Sequence, residues 1–203
     1  VSESYHGDYY YRKPRMDYEL LAKHSEGVIA MSACLGGVYA GCYWQNREEG
    51  EEAILDCMRE TTREMQDIFG DRWYGELQWN GVPEQHELNR YIIQIADEFD
   101  MKLVSTADSH YPNPDAWKDR ELYKRLGWLG KGKPEWLDMN IPSEVQELEY
   151  ELYPKNGDQM WQAYQQYSEE CDATYDDDLV RDSIEESYRI AFERCEDFMP
   201  DTT

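Results

Sequence analysis

The chain has 203 residues, of which 44 are acidic and 20 basic, giving a formal net charge of −24 at neutral pH. That length supports one sizeable core, or one domain with an appendage. A field of that sign repels nucleic acid and argues against a phosphate-gripping DNA-binding module. Aromatic residues make up 14% of the sequence, which excludes a disordered acidic tail. The excess of Asp and Glu over Lys also fits a protein built for high salt. No run approaches the roughly 18 apolar residues of a membrane span, and no basic-then-apolar signal segment opens the chain. The five cysteines, Cys34, Cys42, Cys57, Cys171 and Cys195, are odd in number and lack a CxxC pair. They argue against a disulfide framework and for a reducing, cytoplasmic setting.

In chain order, "VSESYHGDYYYRKPRMD" is polar and tyrosine-rich, and Pro14 argues against a helix through it. Lys13 and Arg15 make its one compact basic cluster, a candidate phosphate or domain contact and equally a solvated loop. A short helix is expected from Tyr18 to Lys23, with Asp17 as N-cap. The apolar run Val28 to Met31, between Gly27 and the Gly36-Gly37 pair, reads as a buried strand ending near Cys34. "EEGEEAILDCMRETTREMQDIFG" has helical spacing at Ile54, Met58, Thr61, Met65 and Ile68, with an acidic start and Gly70 as the stop. A second strand, Trp73 to Trp79, closes at Asn80-Gly81. A second amphipathic helix follows with Leu88, Tyr91, Ile92, Ile95, Ala96 and Phe99 on one stripe. "KLVSTAD" is the third strand.

Strands alternating with helices of this length predict βαβ units on a parallel sheet. Such sheets and barrels gather functional groups at the carboxyl ends of their strands. Cys34, Asp108 and His110 all fall at such ends. An isolated Asp-x-His reads either as a turn cap beside a surface histidine or as a pair of metal ligands, since carboxylate and neutral imidazole suit Zn²⁺, Mn²⁺ or Fe²⁺. Cys34 reads either as a third ligand or as a plain buried cysteine. Glu76 reads as a satisfied strand carboxylate or as a group behind the site.

After Pro112 the pattern changes to helices. One is expected at about 115–126, followed by a Gly/Lys/Pro-rich loop. "YELYPKNGDQM" suggests a brief extended stretch, with a helix starting at Asp158. A final helix places Leu179, Ile184, Ser187, Ile190, Ala191 and Cys195 on one side.

"YYYRKPRMDYELLAKHSEGVIAMSACLGG", "IFGDRWYGELQWNGVPEQHELNRYIIQIADEF", "KLVSTADSHY" and "YELYPKNGDQM" stand in order over roughly residues 9 to 197. Together they resemble the C-terminal part of the polymerase-and-histidinol-phosphatase (PHP) domain of bacterial and phage DNA polymerase III alpha subunits. The resemblance implies an α/β fold: a partial, distorted (β/α)₇ PHP-type barrel over residues 1–112, then a helical extension over 113–203 leading toward a polymerase core. It implies that Cys34, Asp108 and His110 are metal ligands in an incomplete site for divalent ions (Zn, Mn, Fe or Mg). The family's remaining ligands, beginning with a His-x-His pair, are expected before Val1. Implied partners are the complementary N-terminal half of the barrel, a polymerase core and other replisome proteins, with DNA contacted only indirectly and no membrane.

Implied activities are phosphoester hydrolysis or 3′→5′ exonuclease action once the missing half is supplied. The alternatives are an inactive structural or docking module and a stand-alone small-molecule phosphatase. The expected location is the cytoplasm of a bacterium or phage-infected cell. Asn80 departs from the pattern, since many relatives carry His there, and this puts substrate contacts at that loop in doubt.

Overall fold

The computed structural model describes residues 2–130 and 151–197. The N-terminal stretch holds two 3₁₀ turns and a small antiparallel hairpin, β1 (Tyr10–Tyr11) and β2 (Lys13–Pro14). Helix α1 (Tyr18–Lys23) follows, with the Asp17 carboxylate accepting from the Leu20 N–H at 2.8 Å as an N-cap should.

The central sheet has three parallel strands in the order β3 (Ala30–Met31), β4 (Trp73–Gln78) and β5 (Lys102–Thr106). β3 is two residues shorter at its start than the apolar run predicts. Gly27 turns with φ +69°, and the Val28 N–H is held by the Ser25 carbonyl, so the chain is still in a turn at Val28. The crossover to β4 contains α2 (Val38–Asn46) as well as the expected α3 (Glu51–Phe69). Helix α4 (Pro83–Glu98) joins β4 to β5.

Trp73, Gly75 and Leu77 point to one face of the sheet and pack on α3 and α4 in the main core with Met58, Met65, Leu88, Ile92 and Ile95. At Gly75 an added Cβ would lie 2.8 Å from Ile92 Cγ2, so close approach of α4 requires glycine there. The opposite face carries Tyr74, Glu76 and Gln78 beside Val104 and Thr106 of β5. It has a much smaller apolar cluster of Tyr74, Val104 and Ile190, flanked by Ile29 and Met31.

The C-terminal helices are α5 (Trp117–Gly130), α6 (Gly157–Glu170) and α7 (Asp177–Arg189), the last running into a π-helical turn at Ile190–Arg194. The expected Gly/Lys/Pro loop lies largely outside the described residues. Met160, Ala163, Tyr164, Tyr167 and Val180 join the same core as Leu77 and Trp79, so α6 and α7 fold back onto the sheet unit. Ser183 of α7 meets Ser105 at 2.8 Å on one face of β5, while Glu186 reaches Tyr74 and Lys102 on the other. The helix therefore straddles the outer edge of β5; among the described residues neither β3 nor β5 has a strand on its outer side, and β5 is the one that α7 covers. The buried residues of α7 are Val180, Ser183 and Glu186; of the expected stripe Leu179, Ile184 and Ile190 pack against the core, while Ser187, Ala191 and Cys195 are exposed. Polar residues face inward because they meet the polar groups of a strand edge.

Cys42 on α2 and Cys57 on α3 form a disulfide with Cα atoms 5.5 Å apart, within the range such bonds require. This one bond runs against the expectation of a reducing setting without a disulfide framework; Cys34, Cys171 and Cys195 are free. Among the described residues no helix is long and apolar enough to cross a membrane. A three-stranded parallel sheet is what the described residues form, rather than a closed barrel.

Candidate functional site at the strand ends

The carboxyl ends of the three strands are tied together by one side chain. Glu76 on β4 is 9% exposed. Its Oε2 accepts the Ala33 N–H at 3.0 Å, just beyond β3. Its Oε1 accepts from Gln78 Nε2 at 3.1 Å and from the Thr106 hydroxyl at the end of β5. The backbone N–H of Glu76 in turn donates to Ser32 Oγ at 2.9 Å, and the Ser32 N–H donates to the Tyr74 carbonyl. A buried carboxylate is costly unless its lone pairs are filled. Here they are filled by donors from the turn after β3, from β4 and from β5, as in the first of the two sequence readings of Glu76.

Cys34 lies in the turn after β3, half-buried and free. Ala33 before it has φ +63°, a left-handed conformation uncommon for a residue with a Cβ. The Cys34 carbonyl accepts the Gly37 N–H at 2.8 Å, which closes the turn and starts α2. Asp108 lies in the turn after β5 with φ +45°, which Asp tolerates better than most residues. Its Oδ1 is 3.5 Å from His110 Nε2, and their side chains are 33% and 48% exposed.

This turn is strapped by the segment before α6. The His110 and Tyr111 N–H groups donate to the Leu152 carbonyl at 2.7 and 3.2 Å, and the Leu152 N–H donates to the Tyr111 hydroxyl at 3.0 Å. Tyr111, Trp117 and Leu152 form a small core beneath it.

Asp108 and His110 are brought together. Among the described residues, no three His, Cys, Asp or Glu side chains gather as a set that holds a metal ion, so Cys34 does not complete a three-donor seat with them. The donor types suit a divalent ion, but this chain offers an Asp/His couple and a separate thiol rather than a finished site.

Lys13 and Arg15 lie on the exposed N-terminal hairpin. Arg15 is over the Tyr11 ring and shares a cleft with Glu3, Asp8 and Asp17, carboxylates that disfavour a phosphate there. Asn80 is buried: its Oδ1 accepts the Val82 N–H at 3.1 Å and its carbonyl meets His86 Nε2 at 2.9 Å. It closes the turn into α4.

Sequence reasoning did not single out Lys155. Its side chain is 3% exposed, with Nζ 4.1 Å from the Tyr153 ring centroid and bonded to the Glu151 carbonyl. Burial lowers its pKa from the ordinary lysine value. It lines a cavity of about 270 Å³ with Ser105, Thr106 and Ser109, next to the Asp108 turn. The signal for it was its place in "YPKNGDQM", directly before the Asn156/Gln159 capping box of α6.

Residues 1–80 match the PHP domain family model. The DNA polymerase III subunit alpha of Aquifex aeolicus is 47% identical over 106 residues, covering 52% of this chain and 8% of the relative. The subunit from Thermus aquaticus is 38% identical over 113 residues, 56% of this chain and 9% of the relative. That of Borreliella burgdorferi is 29% identical over 199 residues, 98% of this chain and 15% of the relative. The match to the PHP domain model covers 80 of the 203 residues. More particularly, the relatives the chain is similar to are DNA polymerase III alpha subunits. The chain spans only 8 to 15% of the length of these three relatives.

Proposed function

We propose that the chain is part of a replicative DNA polymerase III alpha subunit: residues 1–112 the C-terminal portion of a (β/α)₇ PHP barrel, residues 113–203 an extension leading toward the polymerase core. The observation that carries this reading is the Glu76-linked rim, which places the Cys34 turn and the Asp108–His110 turn at the carboxyl ends of parallel strands. In this reading Cys34 as thiolate, Asp108 and His110 supply part of a divalent-metal set, and a complementary N-terminal half supplies the rest. A bound divalent ion would activate water and neutralise phosphate oxygens in phosphoester hydrolysis, the exonuclease reaction included. The chain's own residues contribute orientation. The Leu152 carbonyl fixes the backbone at His110, and Glu76 fixes the backbone before Cys34.

A second reading, a protein-docking module of a replisome, is favoured by the net charge of −24, which suits protein contacts better than DNA contacts. Both readings place the chain in the cytoplasm of a bacterium or a phage-infected cell.

Gel filtration with light scattering tests the partial-barrel reading, because among the described residues no strand pairs with the outer edge of β3. Self-association, or a broad unfolding transition of the lone chain, is expected. A compact monomer with a sharp thermal transition contradicts it.

A further inference from the structure

We propose that Glu76 is a positioning residue: its carboxylate sets the Cys34 turn and the Asp108–His110 turn in register with each other across the rim. Its role toward a metal rests on the function proposed above, whereas the register itself is a property of this chain.

The position asks for an explanation. Glu76 projects from the sheet face on which its strand neighbours include Tyr74 and Val104, and an apolar side chain would carry no desolvation cost there. The carboxylate is retained on a face where it must find donors, and each donor comes from a different piece of the rim. Ala33, whose N–H it accepts, directly precedes Cys34 and holds a left-handed φ of +63°. That conformation persists only where the surroundings over-determine it. Thr106 is the last residue of β5, two before Asp108. Gln78 braces the same oxygen from β4 and also lies 3.4 Å from the Thr106 hydroxyl.

The contact with the Cys34 turn runs both ways. Glu76 takes a proton donor from Ala33 and gives its own N–H to Ser32. A carboxylate serving stability alone needs no such division. One that sets register needs a bond at the root of each turn, and Glu76 has one to Ala33 beside Cys34 and one to Thr106, the strand residue that leads into the Asp108 turn.

The test uses the full chain with Cys171→Ser and Cys195→Ser, so that Cys34 is the one free thiol among the described residues. Glu76→Ala, Glu76→Gln and Thr106→Val are compared by amide hydrogen exchange at Ala33 and by the rate of Cys34 alkylation with iodoacetamide, well below the unfolding temperature of each. Glu76→Ala should accelerate both by about tenfold or more, the factor that loss of a charge-assisted hydrogen bond gives. Glu76→Gln should restore most of the protection, since its amide oxygen still accepts from Ala33, while the Thr106 hydroxyl turns and the Gln78 amide flips so that both accept from the new NH₂. Thr106→Val should leave the Ala33 amide within about twofold of the parent, because it cuts only the β5 arm.

An unchanged Ala33 amide in Glu76→Ala overturns the proposal. So does equal acceleration of every slow amide in all three variants, which would mean global destabilisation. Should Glu76→Ala fail to fold, the contrast between Glu76→Gln and Thr106→Val decides on the same readouts. Divalent metal content, measured with any co-purifying partner in the parent and in a Cys34→Ser, Asp108→Asn chain, separates the two claims: loss of Ala33 protection in Glu76→Ala together with equal metal in those two chains upholds the register role and removes the metal reading.

Discussion

Replacing Gly37 with alanine should break the turn that carries Cys34, whereas the same change at Gly36 should be harmless. The added Cβ at Gly37 would lie 2.1 Å from the Ser32 carbonyl oxygen, 2.9 Å from Ala33 Cβ and 3.1 Å from the Cys34 carbonyl oxygen. Two of the three are backbone atoms, and Ser32 is anchored to β4 through its N–H and its hydroxyl. No rotamer change relieves the overlap. Restoring an ordinary C···O contact of about 3.3 Å needs a shift of about 1 Å in the turn or in the start of α2. Overpacking in a site that cannot yield costs about 1–3 kcal/mol, and a clash with anchored backbone belongs at or above the top of that range.

At Gly36 the nearest atom is Cys34 Sγ at 3.9 Å, an ordinary contact. There alanine should be neutral within about 0.5 kcal/mol, or slightly stabilising through the unfolded chain. Urea unfolding followed by tryptophan fluorescence gives both values, provided the slope m is unchanged. A Gly37→Ala chain within about 0.5 kcal/mol of the parent, or a Gly36→Ala chain equally damaged, refutes the geometry assigned to this turn.

Tyr111→Phe should cost about 1–3 kcal/mol by leaving the buried Leu152 N–H without its acceptor, and should speed exchange of that amide; an unchanged amide would show that the strap does not depend on the hydroxyl. Reducing the Cys42–Cys57 bond, which closes a separation of 15 residues, should remove about 3 kcal/mol, seen as a lower Tm in calorimetry with reductant; alkylation of all five cysteines in the unreduced chain would contradict the bond. His86 is 2% exposed, bonded to the Asn80 carbonyl and the Tyr175 hydroxyl, and burial lowers its pKa. The unfolded chain therefore takes up this proton first as pH falls below about 6.5, so stability should decline from pH 7.5 to 5.5. Unfolding of His86→Gln at the two pH values should show less of that decline, and an equal decline would clear His86 of responsibility.

Much of the fold was legible because its signals were periodic or chemical. The alternation of β4, α4 and β5, the Asp17 cap of α1 and the acidic start of α3 follow from local rules. Helix α2 was not legible: its N-cap is Gly37 with no side-chain cap, Gly41 sits inside it, and aromatic residues of modest helix propensity fill much of the rest. Missing α2 hid the disulfide, since it is this helix, packed on α3, that carries Cys42 to Cys57.

At the site, the Asp108–His110 couple could be read from a separation of two residues after a strand. The rim that relates it to the Cys34 turn could not, because it depends on three strands distant in sequence and on the one carboxylate between them. Nor could α7 be read as an edge cover. Its inward Ser183 and Glu186 look like surface residues until the polar edge of β5 is beside them.

The decisive measurement is the divalent metal content of the purified chain, alone and with any co-purifying protein, beside a Cys34→Ser, Asp108→Asn variant. Weak retention alone, a gain with a partner and loss of that gain in the double variant is the predicted result, whereas equal metal in parent and variant would contradict the assignment of these residues as ligands.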